Sequence, residues 1–145
     1  MSTEKILTPA LSKKEFLLEV ADRFSSIADS LHFSLRGLTN EKDVSPQKAY
    51  ALITEEYGLR TRISILKGDS ENRIVSGVQE DQASLLDLLV ETEGLIKKMN
   101  SVDDLAFLVN SVSVLCIAIF PSKNLTLDFL IDCLRSDVGR FSKKY

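Results

Sequence analysis

The sequence predicts an all-α protein, a bundle of about five helices around a central apolar helix. Three observations carry that expectation. The run SVDDLAFLVNSVSVLCIAIF, Ser101 to Phe120, holds no charge after Asp104. Between Phe16 and Leu35 apolar residues recur at intervals of three and four, the period of a helix with one buried face. Helix start signals stand ahead of three segments: S-x-x-E at Ser12, Ser-Pro at Ser45 and S-x-x-D at Ser101.

In chain order, residues 1–11 are expected to form a flexible N-terminal arm and 12–145 a single helical domain. The first helix should open at Ser12, where Glu15 completes a capping box, and should bury Phe16, Leu17, Val20, Ala21, Phe24, Ile27, Ala28, Leu31 and Leu35. Gly37 should stop it in the left-handed conformation. Ser45 and Pro46 should cap and start the second helix. Its apolar residues change face, from Ala49, Tyr50, Ile53 and Tyr57 to Leu59, Ile63 and Leu66, which predicts a kink near Gly58.

Within 59–78 the alternative is a short hairpin, LRTRISIL and RIVSGV joined by KGDSEN, which would make the fold α+β. Ile74, Val78, Leu85, Leu89, Ile96 and Met99 hold one helical phase, so a long third helix from Arg73 to Asn100, broken near Asp81, is preferred. The apolar helix follows, with Asp103 and Asp104 on the positive end of its dipole and Pro121 as its stop. Leu105, Leu108, Val109, Val112, Cys116 and Ile119 form its strongest face, Phe107, Val114 and Ile117 lie opposite, and both sides should meet protein. No membrane span is expected, because the run is shorter than the ~20 residues a bilayer needs and carries Asn110, Ser111 and Ser113. A last helix, capped by Asn124 or Thr126, should turn Leu127, Leu130, Ile131, Leu134, Val138 and Phe141 back onto it.

Composition excludes several classes of function. The 145 residues, 44% hydrophobic and 27% charged, suit one soluble domain with a real core. A balance of 18 basic against 21 acidic residues gives no electrostatic footprint for nucleic acid. Cys116 and Cys133 stand outside any metal-binding pattern and read as buried free thiols; with no apolar signal core at the start, a cytoplasmic location is expected. His32 is the single histidine, which rules out His-pair metal sites, and no phosphate-cradling or nucleophile-elbow glycine pattern occurs. Glu19 with Asp22, and Asp128 with Asp132, fall away from the apolar stripes and read as ion-paired surface. Neither catalytic residues, nor a metal, nor a cofactor is therefore expected.

What remains is surface. Glu15, Glu19, Asp22, Ser26 and Asp29 share one line of the first helix, opposite its stripe, with Phe33 at the far end. Glu15, Glu19, Asp22, Asp29 and Phe33 are the expected partner-binding residues, the carboxylates steering a basic protein and the phenyl ring anchoring it. The chain thus reads as a non-catalytic protein–protein interaction or regulatory protein, an adaptor or inhibitor. In size, acidity and helix content it resembles the small immunity proteins that inhibit bacterial toxins, a likeness of composition that implies inhibition of another protein. The alternative is a helical-bundle hydrolase or small-ligand-binding protein, its site assembled from scattered carboxylates with Tyr50 or Tyr57. A homodimer is expected, because Phe107, Leu125 and Phe129 fall outside the stripes.

Overall fold

Helices α1 (Lys14–Thr39) and α2 (Pro46–Gly68) run antiparallel, as the pairs Asp22–Lys67, Asp29–Arg60 and His32–Glu56 along their seam require. They begin a bundle that continues through α3 (Gln82–Lys98), α4 (Val102–Ile119) and α5 (Asn124–Ser142). The computed structural model describes residues 8–39 and 44–145, and no strand occurs among them. In space the helices follow the order α1, α2, α4, α5, α3 and back to α1, so the bundle is a closed ring with one continuous core.

The α1 stripe is buried as its spacing requires: Leu17, Val20, Ala21, Phe24, Ile27, Ala28, Leu31 and Leu35 all lie inside, with Phe16 half-buried. Its ends differ from expectation. The Ser12 hydroxyl donates to the Pro9 carbonyl at 2.7 Å, and the helix starts at Lys14, so no Ser12–Glu15 capping box forms. Gly37 stays helical, and the turn expected after it falls partly on residues 40–43, outside the described residues.

Ser45 caps α2, accepting from the Lys48 N–H at 3.2 Å, with Pro46 in the first turn. The helix then runs to Gly68 without interruption at Gly58. Its core contacts come from Leu52, Leu59, Ile63 and Leu66, which already share one face, so the apolar stripe never has to change sides. Tyr50, Ile53 and Tyr57 are outside.

The hairpin does not form. Leu59 to Gly68 belong to α2, a 3₁₀ turn follows at Ser70–Asn72, and residues 73–80 are irregular. A long helix from Arg73 does not form either: Gly77 takes a φ of +83°, and Asp81 caps α3 by accepting from the Ala83 and Ser84 N–H groups at 3.1 and 3.4 Å. The third helix therefore begins where its break was expected. Val75 and Val78 are buried while Ile74 is exposed, so the shared helical phase ahead of Asp81 was coincidental.

Of the expected arm, Ala10 and Leu11 belong to the core, Thr8 is half-buried and Pro9 exposed, while residues 1–7 lie outside the described residues. Ala10 and Leu11 are fully buried, and backbone hydrogen bonds run from Gln82 to Thr8 (2.8 Å), from Ala10 to Glu80 (2.9 Å) and from Val75 to Leu11 (2.9 Å). The buried Gln82 side chain joins the same segments, its Oε1 accepting from the Leu11 N–H at 3.1 Å and its Nε2 donating to the Phe16 carbonyl at 3.1 Å.

Ser101 caps α4 and the helix ends before Pro121. By length and composition α4 is apolar enough to cross a membrane, yet here it packs on α2 and α5 and half of it is buried. Leu105, Leu108, Val109, Val112, Cys116 and Ile119 face the core, whereas Phe107, Val114 and Ile117 stay exposed. The expectation that both faces meet protein fails within one chain, because the ring leaves each helix an outer side. In α5, Lys123 occupies the cap position without a side-chain bond, so neither Asn124 nor Thr126 caps it. Asn124 instead donates to the Gly77 carbonyl at 3.0 Å.

Candidate functional site: the outer groove between α1 and α2

The first three turns of α2 bury one side chain, Leu52, and turn Tyr50, Ile53 and Tyr57 outward; both tyrosines are 72% exposed. These residues recur at helical spacing, the pattern of a core stripe, yet none of the described residues covers them. Beside them, between α2 and the end of α1, lies an open groove of about 440 Å³ lined by His32, Leu35, Arg36, Ile53, Glu56, Tyr57 and Arg60. Phe33 stands at its margin, its ring edge-on to His32 at a centroid distance of 6.4 Å.

Polar groups knit the groove floor. The Glu56 side chain is only 12% exposed and accepts from Arg60 Nε at 2.9 Å, while His32 Nδ1 lies 3.2 Å from its other oxygen. Arg60 reaches across the seam to Asp29 Oδ1 at 3.0 Å. Its bond to Glu56, and then its bond to Asp29, raise the guanidinium pKa above its ordinary value, so this cation is permanent. A carboxylate that orients an imidazole is a proton-handling pair in enzymes. The lining residues, however, supply one hydroxyl, that of Tyr57, and neither a serine nor a cysteine beside the imidazole.

The expected ridge is distributed differently. Glu15, Glu19, Asp22, Asp29 and Phe33 are all exposed, but two of the carboxylates hold cations from α2: Asp22 with Lys67 at 3.2 Å and Asp29 with Arg60 at 3.0 Å. Glu19 leans the other way and accepts from Gln82 Nε2 at 3.3 Å. Phe33 is 71% exposed and touches the His32 ring. Sequence reasoning gave Tyr50, Ile53 and Tyr57 one shared face of the second helix and named no partner for His32. Their exposure is set by how α2 sits on its neighbours, which spacing within one helix does not encode.

Elsewhere, Asp128 accepts from the Gln79 and Glu80 N–H groups at 2.9 and 3.2 Å, fixing the loop before α3. Asp132 pairs with Arg135 at 3.3 Å, and Arg135 also holds Glu80. Cys116 is buried and Cys133 half-buried, both as free thiols. Among the described residues no three His, Cys, Asp or Glu side chains converge as a metal site would require. Comparison with family models, with curated proteins and with solved structures finds no match to this chain.

Proposed function

We propose that the chain is a non-catalytic protein–protein interaction or regulatory protein that docks its partner on the outer face of α1 and α2. The observation that carries this reading is the stripe Tyr50, Ile53 and Tyr57, spaced as a helix spaces its buried residues but left exposed. Exposed apolar residues scattered singly are ordinary, whereas aromatic groups gathered on one face beside a groove are the usual composition of an interface centre. Affinity purification with the wild type and with a Tyr50→Ser, Tyr57→Ser variant tests it. The expected result is a protein retained by the wild type, lost from the variant, and bound again when the purified pair is mixed. Equal retention by a variant with an unchanged circular dichroism spectrum would remove this face from consideration.

The groove volume favours a second reading, a small-ligand site, since 440 Å³ lies within the range of ligand pockets. Thermal melts with Mg²⁺, Mn²⁺ and nucleotides separate the two. A ligand at a hundred times its dissociation constant adds about 2.7 kcal/mol and shifts the melt upward; no shift is expected.

Self-association belongs to the proposal as well. Phe107, Leu125 and Phe129 are exposed on the far side of the ring, along α4 and α5. Light scattering should give a dimer, and Phe129→Asp should return it to a monomer. A strict monomer at high wild-type concentration would exclude the idea.

A further inference from the structure

We propose that residues 46–57, the first three turns of α2, form a hinged lid that opens as a unit while the rest of the bundle stays folded. Burial carries the inference. These twelve residues bury one side chain, Leu52, whereas residues 58–68 of the same helix bury Leu59, Ile63 and Leu66, and α4 buries nine side chains in eighteen residues. The ease of local opening is set by the apolar contacts that a segment gives up, so this half of α2 releases more readily than its neighbours.

Gaps flank the segment on both sides. Toward α1 lies the groove of about 440 Å³, and toward α4 a smaller one of about 200 Å³, where Ala51, Leu52 and Glu55 stand across from Val102, Ala106 and Asn110. Each gap removes contacts that close packing would supply. The polar ties are weak as well: Lys48 meets Asp103 at 2.9 Å with both side chains more than half exposed, and Glu56 meets His32, itself half exposed, at 3.2 Å. Exposed pairs of this kind add little. When the segment swings out, Leu52 leaves its seat and the two grooves merge into one channel between α1 and α4.

The hinge is Gly58. It stands at the step between the loosely and the firmly packed halves, just ahead of Leu59, and a glycine lowers the helix propensity where the two halves join. An added Cβ there would lie 3.0 Å from Arg62 Nη1, so the guanidinium rests in the space that the missing side chain leaves. Tyr50, Ile53 and Tyr57 ride on the lid. On the docking reading above, a partner seated on them holds the lid shut, while the opening itself needs no partner.

Native-state hydrogen exchange of the full chain, followed by NMR, tests the lid without any partner. Opening of 46–57 also frees the amides of 58–61, which bond to carbonyls four residues back. The expected result is one shared opening for amides 50–61, with exchange at least about 100-fold faster than at 62–67 after correction for intrinsic rates. Ile63→Val should then speed amides 62–67 by about 2- to 12-fold and leave 50–61 unchanged, because the buried Ile63 stays packed when the lid is open. Equal exchange along the whole helix, rates that fall off residue by residue from the amino end, or equal acceleration of both groups by Ile63→Val would each overturn the lid.

Discussion

The Tyr145 hydroxyl donates to Asp104 Oδ2 at 2.6 Å and ties the residues after α5 to the first turn of α4. Lys144 Nζ donates to the same oxygen at 2.7 Å. The lysine first, and the tyrosine second, hold the Asp104 carboxyl below its ordinary 3.8. A carboxyl with a lowered folded-state pKa stabilises the fold fully above its ordinary value, and that contribution disappears as the pH falls through the lowered one. Asp104→Asn should therefore lower the melting temperature at pH 6, and the two proteins should converge below pH 3.8. A constant difference across that range would show that the contact matters only for its shape.

Two glycines should respond in opposite directions to alanine. At Gly77 the φ of +83° strains any L side chain, and an added Cβ would sit 3.1 Å from Asn124 Nδ2, which donates to the Gly77 carbonyl. Gly77→Ala should cost about 1–3 kcal/mol in chemical denaturation. Gly139 lies inside α5 with nothing near the site of a new Cβ, so Gly139→Ala should add roughly 0.5–1 kcal/mol through helix propensity.

The two thiols should separate by reactivity. Burial pushes the Cys116 thiol up to about 12, which leaves almost no thiolate at neutral pH. A thiol-specific disulfide reagent at pH 8 should label Cys133 in the folded protein and Cys116 only after denaturation. Rapid double labelling without denaturant would mean that α4 opens readily.

Leu11 should behave as a core residue despite its place before the first helix. It is 1% exposed and its carbonyl accepts from the Val75 N–H. Leu11→Ala should cost about 2–5 kcal/mol, the range for buried leucines, while Leu125→Ala on the outside of α5 should stay within about 0.5 kcal/mol. Equal effects would place Leu11 outside the core.

The sequence made most of the helices legible because their signals are local. The stripe from Leu17 to Leu35, the Ser45 and Ser101 caps and the inner face of α5 are set by residues within a turn or two of one another. The site was harder to read. Tyr50, Ile53 and Tyr57 have the period of a buried face, but period reports which residues share a side and says nothing about whether another element covers it. The cations beside the α1 carboxylates were hidden for a related reason: Lys67 is 45 positions from Asp22 and Arg60 is 31 from Asp29. The stretch ahead of Asp81 misled because Ile74 and Val78 happen to keep the helical interval of α3, although only Val78 is buried and the backbone between them turns at Gly77.

The Gln82 amide has a consequence for how the molecule comes apart. Its oxygen is occupied by the segment before α1 and its nitrogen by the first turn of α1 itself, so no one of the three can leave without stranding a buried donor or acceptor. Such opening has to be collective. Residues 8–11, the start of α1 and the start of α3 therefore form one cooperative unit of local unfolding, and this end of the protein exchanges its amide hydrogens together instead of fraying one residue at a time.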